Sequence, residues 1–339
     1  MALPLSKRDP TVAKVLRRWR ALTGGTRTVD ADRRTLVACS GGPDSVALAL
    51  ALHAAGGLAG LAHIVHDLRP ATEAHADRDF VASLAARLGV PFLHASVEVR
   101  SLPGSAESNA RTHRYRSLAL LAEQARTRFI ATGHHADDQL ETLIMRLARG
   151  SGPAGLRGIL PIRKLESSPV RVIRPCLGVR RDELASLCVL AELSPRVDAT
   201  NADTRITRNA IRAEIVPRLA ELFPGLVPRA DEFAARMRSV ERVVDRAARV
   251  LATHAKLEPG VLSRDVLRVA DRAVVHAALR RVVLEAGLGS DGMTWRAGEI
   301  LARAVRDEMG GVRRFAWGKA EVLVESDRVT ISRPDRRPT

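Results

Sequence analysis

Aromatic residues are scarce in this chain: one Tyr, three Trp and six Phe among 339 positions, 3% in all. Proteins that read nucleobases by stacking them on aromatic platforms use more, so any nucleic-acid surface here has to rely on arginine planes or on histidines such as His134 and His135. Cysteine is equally thin. Cys39, Cys176 and Cys188 are too few and too scattered for a disulfide framework or a four-ligand zinc site, and no pair has Cys-x-x-Cys spacing. A reduced, cytoplasmic setting is expected. No stretch approaches the roughly 18 uncharged apolar residues of a membrane span, and Met1–Arg20 is basic without the apolar core of a signal peptide, so neither export nor membrane association is expected. Lysine is rare too: five of the 54 basic residues, the rest being arginine. That bias follows from base composition of a genome as easily as from function, but a net charge of +16 does not, and it favours a polyanionic partner such as RNA.

With 46% hydrophobic residues, the chain has enough apolar material for more than one domain. From residue 35 to about 135, short apolar runs alternate with helical patterns. Strands are expected at 35–39, 58–65, 92–99 and 129–132, and helices at 45–55, 74–88 and 106–125. Such alternation predicts an α/β fold with a Rossmann-like parallel sheet that binds ligand at the carboxyl ends of its strands. Ahead of it, Val12, Val15, Leu16 and Trp19 at helical spacing mark a basic amphipathic helix in a 1–34 extension, whose expected role is packing. Helices are further expected at 137–149, 181–191 and 209–222. The Gly/Pro-rich stretch Gly150–Gly158 reads as a mobile loop without regular structure. Phe223-Pro224-Gly225 breaks the chain. We therefore expect a first domain over 35–222 and a second, mainly helical domain over 223–333 ending in short hairpin strands, followed by a frayed tail at 334–339.

Two runs carry chemistry. In the first, a strand ends in Cys39-Ser40-Gly41-Gly42-Pro43-Asp44-Ser45 and a helix begins. Gly41 and Gly42 let backbone approach an anion, and the hydroxyls of Ser40 and Ser45 lie beside the free amides of a helix N-terminus. Asp44 would repel a phosphate unless a divalent cation stood between them, so a Mg²⁺-bridged nucleotide is implied. There is no Walker-type Gly-Lys-Ser/Thr and no dinucleotide glycine fingerprint. The second run, Thr132-Gly133-His134-His135-Ala136-Asp137-Asp138-Gln139-Leu140-Glu141-Thr142, sets Asp137 and Glu141 four apart on one helical face, with Asp138 three before Glu141. Clustered carboxylates ask for a cation. Mg²⁺ on nucleotide phosphates, a zinc or di-metal hydrolase centre, and a solvated helix N-terminus are the readings this run leaves open.

The pattern Ser-Gly-Gly-x-Asp-Ser after a strand resembles the pyrophosphate loop, or PP-loop, of the N-type ATP pyrophosphatases. Further motifs narrow the resemblance over residues 35–220 to the tRNA(Ile)-lysidine synthetase family: His63-Ile64-Val65-His66-Asp67-Leu68-Arg69, Ala110-Arg111-Thr112-His113-Arg114-Tyr115, Gly133–Thr142 running into Arg149-Gly150-Ser151-Gly152, and Arg208-Asn209-Ala210-Ile211-Arg212. The resemblance implies an enzyme that adenylates C2 of the wobble cytidine in tRNA(Ile) with a CAU anticodon, using ATP, and then joins free L-lysine there, releasing AMP and pyrophosphate. On that reading Ser40, Gly41, Gly42, Pro43, Asp44, Ser45, His63, Gly133 and His134 bind the nucleotide, and Asp44, Asp137 and Glu141 hold Mg²⁺. Asp44, Asp137, Asp138, Glu141, Arg111, Arg114 and Arg205 form the catalytic set, with tRNA positioned largely by the second domain. The family commonly has Asn and Gly where Val65 and Asp67 stand, which implies an altered turn at Asp67, and the Asp198–Asn201 segment also varies. Longer relatives carry an additional C-terminal domain, so a less extensive grip on tRNA is expected. A PP-loop tRNA thiolation enzyme would need a cysteine pair or iron–sulfur ligands, and a non-catalytic tRNA-binding protein would leave the carboxylates without a task.

Overall fold

The computed structural model describes residues 5–25, 28–67, 70–100, 102–103, 106–165, 168–196, 203–289, 293–308 and 311–334. Leu68, Arg69, the Asp198–Asn201 segment and the tail beyond residue 334 lie outside them. The chain divides into two compact units, one running to Met145 and resuming over Gly158–Ala234, the other made of Arg146–Arg157 and Ala235 onward.

The elements run α1 (Pro10–Leu22), β1 (Thr35–Ala38), α2 (Pro43–Ala54), β2 (Leu58–His66), α3 (Ala71–Leu88), β3 (Phe92–Val97), α4 (Ala106–Gln124), β4 (Phe129–Ala131), α5 (Ala136–Ala148), α6 (Pro153–Leu156), β5 (Ile162–Lys164), β6 (Arg171–Ile173) and α7 (Arg181–Leu190). Then come α8 (Thr207–Ala210), a π-helical turn (Ile211–Ile215), α9 (Val216–Leu222) and α10 (Leu226–Ala255). The first unit's sheet has the order β3-β2-β1-β4-β6-β5, parallel except for β5, which is antiparallel to β6. After β1 the chain turns toward β2, and after β4 toward β6. The strand order thus reverses between β1 and β4, and such a switch point opens a crevice at the carboxyl ends of those two strands.

Packing explains why these segments fold as they do. Every residue of α2 from Ser45 to Leu52 is buried, as its unbroken apolar run requires of a helix enclosed on all sides. In α1, Asp9 caps the N-terminus by accepting from the Thr11 and Val12 amides at 2.8 and 3.0 Å, and Pro10 occupies the first turn. Val12, Val15, Leu16 and Trp19 face inward in the same core as α2, and Trp19 Nε1 donates to Thr35 Oγ1 at 2.9 Å. The α1 helix therefore packs into the first unit. Asp67 needs no glycine geometry: its backbone is not left-handed, and its carboxylate accepts from the Val99 and Arg100 amides at 2.9 and 3.1 Å.

The second unit pairs α11 (Arg264–Arg268), α12 (Arg272–Glu285) and α13 (Trp295–Arg306) with an antiparallel sheet. Its strands are β7 (Lys256–Glu258), β8 (Val261–Ser263), β9 (Arg313–Trp317), β10 (Ala320–Val324) and β11 (Arg328–Ser332), in the order β7-β8-β11-β10-β9. Alternation puts Ala320, Val322 and Val324 into the core while Glu321 and Leu323 turn outward. Two expectations change. Residues 150–158 are not wholly irregular, since Pro153 at the first helical position starts the single turn α6. The helix expected from Asn209 begins at Thr207 and is interrupted by the π-turn ahead of Pro217, which has no amide to donate.

Candidate active site

The Ser40–Ser45 turn is built around the Ser45 hydroxyl, which donates to the Gly42 carbonyl at 2.9 Å and accepts from the Ser40 amide at 3.2 Å. Gly41 has φ +89°, a left-handed conformation that a side chain would strain. Its carbonyl accepts from the Arg196 amide at 2.9 Å, while Arg196 Nε donates to the buried Asp77 at 3.0 Å. Gly42 is the N-cap of α2 and Pro43 its first residue, so Asp44 lies in the first helical turn, where the macrodipole favours its charge. His63, inside β2, donates from Nδ1 to the Cys39 carbonyl at 2.9 Å, and burial lowers its pKa.

The second run faces the first. Gly133 passes so close to α2 that a Cβ there would stand 2.9 Å from the carbonyl carbon of Asp44 and from the amide nitrogen of Ser45. His134 hydrogen-bonds through Nδ1 to Thr132 Oγ1 at 2.9 Å. Burial, opposed by the charge of Asp138 and aided by those of Arg174, Arg208 and Arg111, pushes its pKa down to about 4 and leaves it neutral. His135 is the opposite case. Its side chain is 2% exposed, with Nε2 3.5 Å from Asp44 and from Asp138, and Nδ1 3.4 Å from Asp137. Burial opposes its charge, but the bonds to Asp137 and Asp44 and the field of Asp138 win and raise its pKa to about 10. Enclosed this way, the His135 ring offers no face for stacking a base.

The three acids of α5 divide. Asp137 accepts from the Arg181 amide at 2.9 Å and faces His135. Asp138 accepts from Arg208 Nη2 at 2.8 Å and Arg212 Nη2 at 3.2 Å. Glu141, 1% exposed, has both oxygens engaged: Arg212 Nε reaches Oε1 at 2.7 Å and Arg208 Nε reaches Oε2 at 2.7 Å. Arg208 and Arg212 belong to the Arg-Asn-x-Ile-Arg motif but were not singled out as site residues. Their four-residue spacing, matched to acids three apart on α5, was the available signal. Gln139 of the same run is structural, binding the Ile159 amide at 2.5 Å and carbonyl at 3.3 Å, and reaching Asp231 at 3.2 Å. A cavity beside this array is lined by Asp137, Glu141, Arg180, Arg181, Arg212 and Val216. Arg111 and Arg114 are exposed on α4. Arg205, 91% exposed, forks onto Asp203 at 2.9 Å.

Asp44 Oδ1 is buried and has no hydrogen-bond partner. An orphaned carboxylate oxygen at a helix N-terminus, beside a glycine-lined anion cradle, suits a hard cation that takes oxygen ligands. Among the described residues no three His, Cys, Asp or Glu converge as a complete metal site, which fits an ion that completes its shell with phosphate and water. The cysteines are all buried, and burial raises the pKa of each, so they offer no reactive thiolate pair.

A switch-point crevice with this cradle at its floor defines an ATP-binding PP-loop protein, and residues 13–219 match the PP-loop domain family. The chain also shares its fold with the U34-tRNA thiolase NcsA from Methanococcus maripaludis, at 17% identity and a TM-score of 0.50 over 67% of this chain and 78% of that one. Among curated relatives, the tRNA(Ile)-lysidine synthase of Symbiobacterium thermophilum is 42% identical over 57% of this chain and 41% of its own length. That of Novosphingobium aromaticivorans is 34% identical over 92% of this chain and 94% of its own. The chain belongs to the tRNA(Ile)-lysidine synthase family. It spans less than half the length of several other members it matches, among them the Symbiobacterium and Thermus thermophilus proteins, at 41% and 49%. No helix among the described residues is long and apolar enough to cross a membrane.

Proposed function

We propose that the chain converts the wobble cytidine of CAU-anticodon tRNA(Ile) to lysidine, with ATP and free L-lysine as co-substrates. The observation that carries this reading is Asp44: a partly exposed carboxylate whose Oδ1 is buried without a partner, set in a phosphate cradle and joined through His135 to Asp138 of α5. The C2 oxygen of the cytidine attacks the α-phosphorus of ATP, and pyrophosphate leaves into the amides and hydroxyls of Ser40, Gly41, Gly42 and Ser45. The amine of lysine then bonds to C2, AMP departs with the oxygen, and one proton is released. Asp44, whose buried Oδ1 has no partner, is the acid we assign to Mg²⁺, which when bound would offset phosphate charge. The ammonium of lysine has to lose a proton before it can attack, and the half-buried Asp137 is the acceptor we assign. Glu141, with both oxygens on guanidinium groups, holds Arg208 and Arg212 toward the crevice, where their charge stabilises anionic intermediates. The +16 charge supports tRNA as the polymeric partner.

The test is mass spectrometry of the wobble nucleoside after incubation with unmodified tRNA, ATP, Mg²⁺ and lysine, together with nucleotide analysis. Lysidine, AMP and pyrophosphate are expected. ADP and orthophosphate as main products would reject the reading. Asp44→Asn preserves the turn and should lower adenylation by about 10²-fold or more.

A further inference from the structure

Tyr115, the chain's single tyrosine, is wrapped in arginine. Arg174 Nη2 donates to its hydroxyl at 3.2 Å and Nη1 to the Leu160 carbonyl at 2.7 Å, while Arg174 Nε is buried without a partner. The guanidinium carbons of Arg111 and Arg163 stand 5.3 and 5.4 Å from the Tyr115 ring centroid. Arg174 is 2% exposed, whereas Arg111 and Arg163 both reach solvent. Among the described residues, no carboxylate pairs with any of the three. Burial lowers the pKa of Arg174 against the influence of Tyr115, with smaller help from the charges of Arg111 and Arg163. Among the described side chains, these are like charges held together with no acid set between them. Stacking on a ring orients a guanidinium and leaves its N–H edge free, but does not neutralise it.

Topology places the cluster at the crevice. Arg174 follows β6 at its carboxyl end, Arg163 lies in β5 opposite Val172, and Arg111 is in the N-terminal turns of α4, which leads into the parallel strand β4. Both Arg111 and Arg174 act on the neighbouring His134. The nucleotide cradle follows β1, on the other side of β4 in the sheet order. We infer that Arg111 and Arg163, set by Tyr115 and backed by Arg174, bind a backbone phosphate of the RNA substrate at a site separate from the ATP cradle. Phosphate is the ligand class because planar guanidinium forks match its oxygens, and the RNA backbone is the source because two of the three groups are solvent-exposed and the nucleotide phosphates have their own donors. Arg174 and Tyr115 are positioning residues.

This inference rests on the RNA-modifying reading above, and its test separates the two. Binding of unmodified CAU tRNA to the full chain is measured from low to physiological salt, and binding of ATP with Mg²⁺ is measured without tRNA. Arg163→Gln should weaken tRNA binding several-fold and reduce the log–log salt slope by about 0.7 to 0.9, the signature of one lost phosphate contact, while ATP affinity stays put. Arg163→Lys should restore the slope. Tyr115→Leu, which keeps every charge but removes the surface that orients them, should reduce the slope as Arg163→Gln does; if that variant does not fold, Arg163→Gln decides alone. Weaker ATP binding with an unchanged tRNA slope would assign the cluster to the triphosphate and overturn the inference. Two unchanged affinities would make the cluster packing only and overturn it as well. Failure of the wild type to form lysidine would count against the proposed reaction, while a changed slope would still locate the phosphate.

Discussion

Gly133 and Asp44 touch backbone to backbone: the chain leaving β4 lies against the first turn of α2 with no room for a single methyl group. This contact sets the width of the crevice, because it fixes the phosphate cradle and the acidic helix α5 at one distance. Gly133→Ala would put Cβ 2.9 Å from Asp44 and Ser45 main-chain atoms, which cannot swing away as a side chain would. The expected cost is about 1–3 kcal/mol of stability. The loss of ATP affinity should be larger than the lowered melting temperature implies. An alanine variant with wild-type melting and wild-type ATP binding would show that the two segments separate freely.

Glu141 and the two arginines behave as a unit. Removing the carboxylate in Glu141→Ala leaves Arg208 and Arg212 facing each other around a buried vacancy, a change worth about 3–5 kcal/mol for a fully buried pair and less here because both arginines are partly exposed. Adding Arg212→Ala should recover part of that loss. Chemical denaturation of the two single variants and the double variant measures the coupling, and strictly additive effects would contradict it.

In the second unit, His276 is 4% exposed, 4.3 Å edge-on to Trp295 and 5.3 Å from Trp317. Burial, aided by Arg280, pushes its pKa down to about 4. The folded state keeps this imidazole neutral, and the unfolded state takes up a proton below about 6.5, so the unfolded chain binds more protons between those values. Stability from this residue is therefore full above pH 6.5 and falls as the pH drops toward 4, by up to about 3 kcal/mol. Melting of the wild type and His276→Asn from pH 7.5 to 4.5 checks it: the variant should start less stable and lose less. Parallel pH profiles would mean that the imidazole is not held neutral.

The sheet that positions the site was readable because β1, β2 and β4 are runs of Leu, Val, Ile and Ala buried on both faces, and because the intervening helices are long. The short strands β5 and β7 were not. Lys256–Glu258 is exposed throughout and Arg163-Lys164 carries two charges, so β7 and β5 exist by pairing with a neighbour rather than through any apolar pattern of their own. The site was legible to a similar depth. Cradle and acidic run announced themselves by residue type at fixed spacing. What Glu141 touches did not, since its arginines lie 67 and 71 positions away and only the folded chain brings them together. Tyr115 and Arg174, separated by 59 positions, were hidden for the same reason.

Arg264 illustrates what the preference for arginine over lysine does inside this molecule. Buried at 4% exposure, its guanidinium donates to the carbonyls of Val305, Ala304 and Asp307 at the end of α13 and to that of Glu325 beyond β10. One side chain thus ties a helix terminus to a sheet, using donors on all three of its nitrogens. A lysine would bring the same charge but a single nitrogen, unable to span carbonyls so far apart. Replacing every arginine by lysine would leave the net charge and the counterion atmosphere of the chain intact while cutting its internal fastenings. The positive charge of this protein is accordingly two populations under one sign, and a surface titration would see only the outer one.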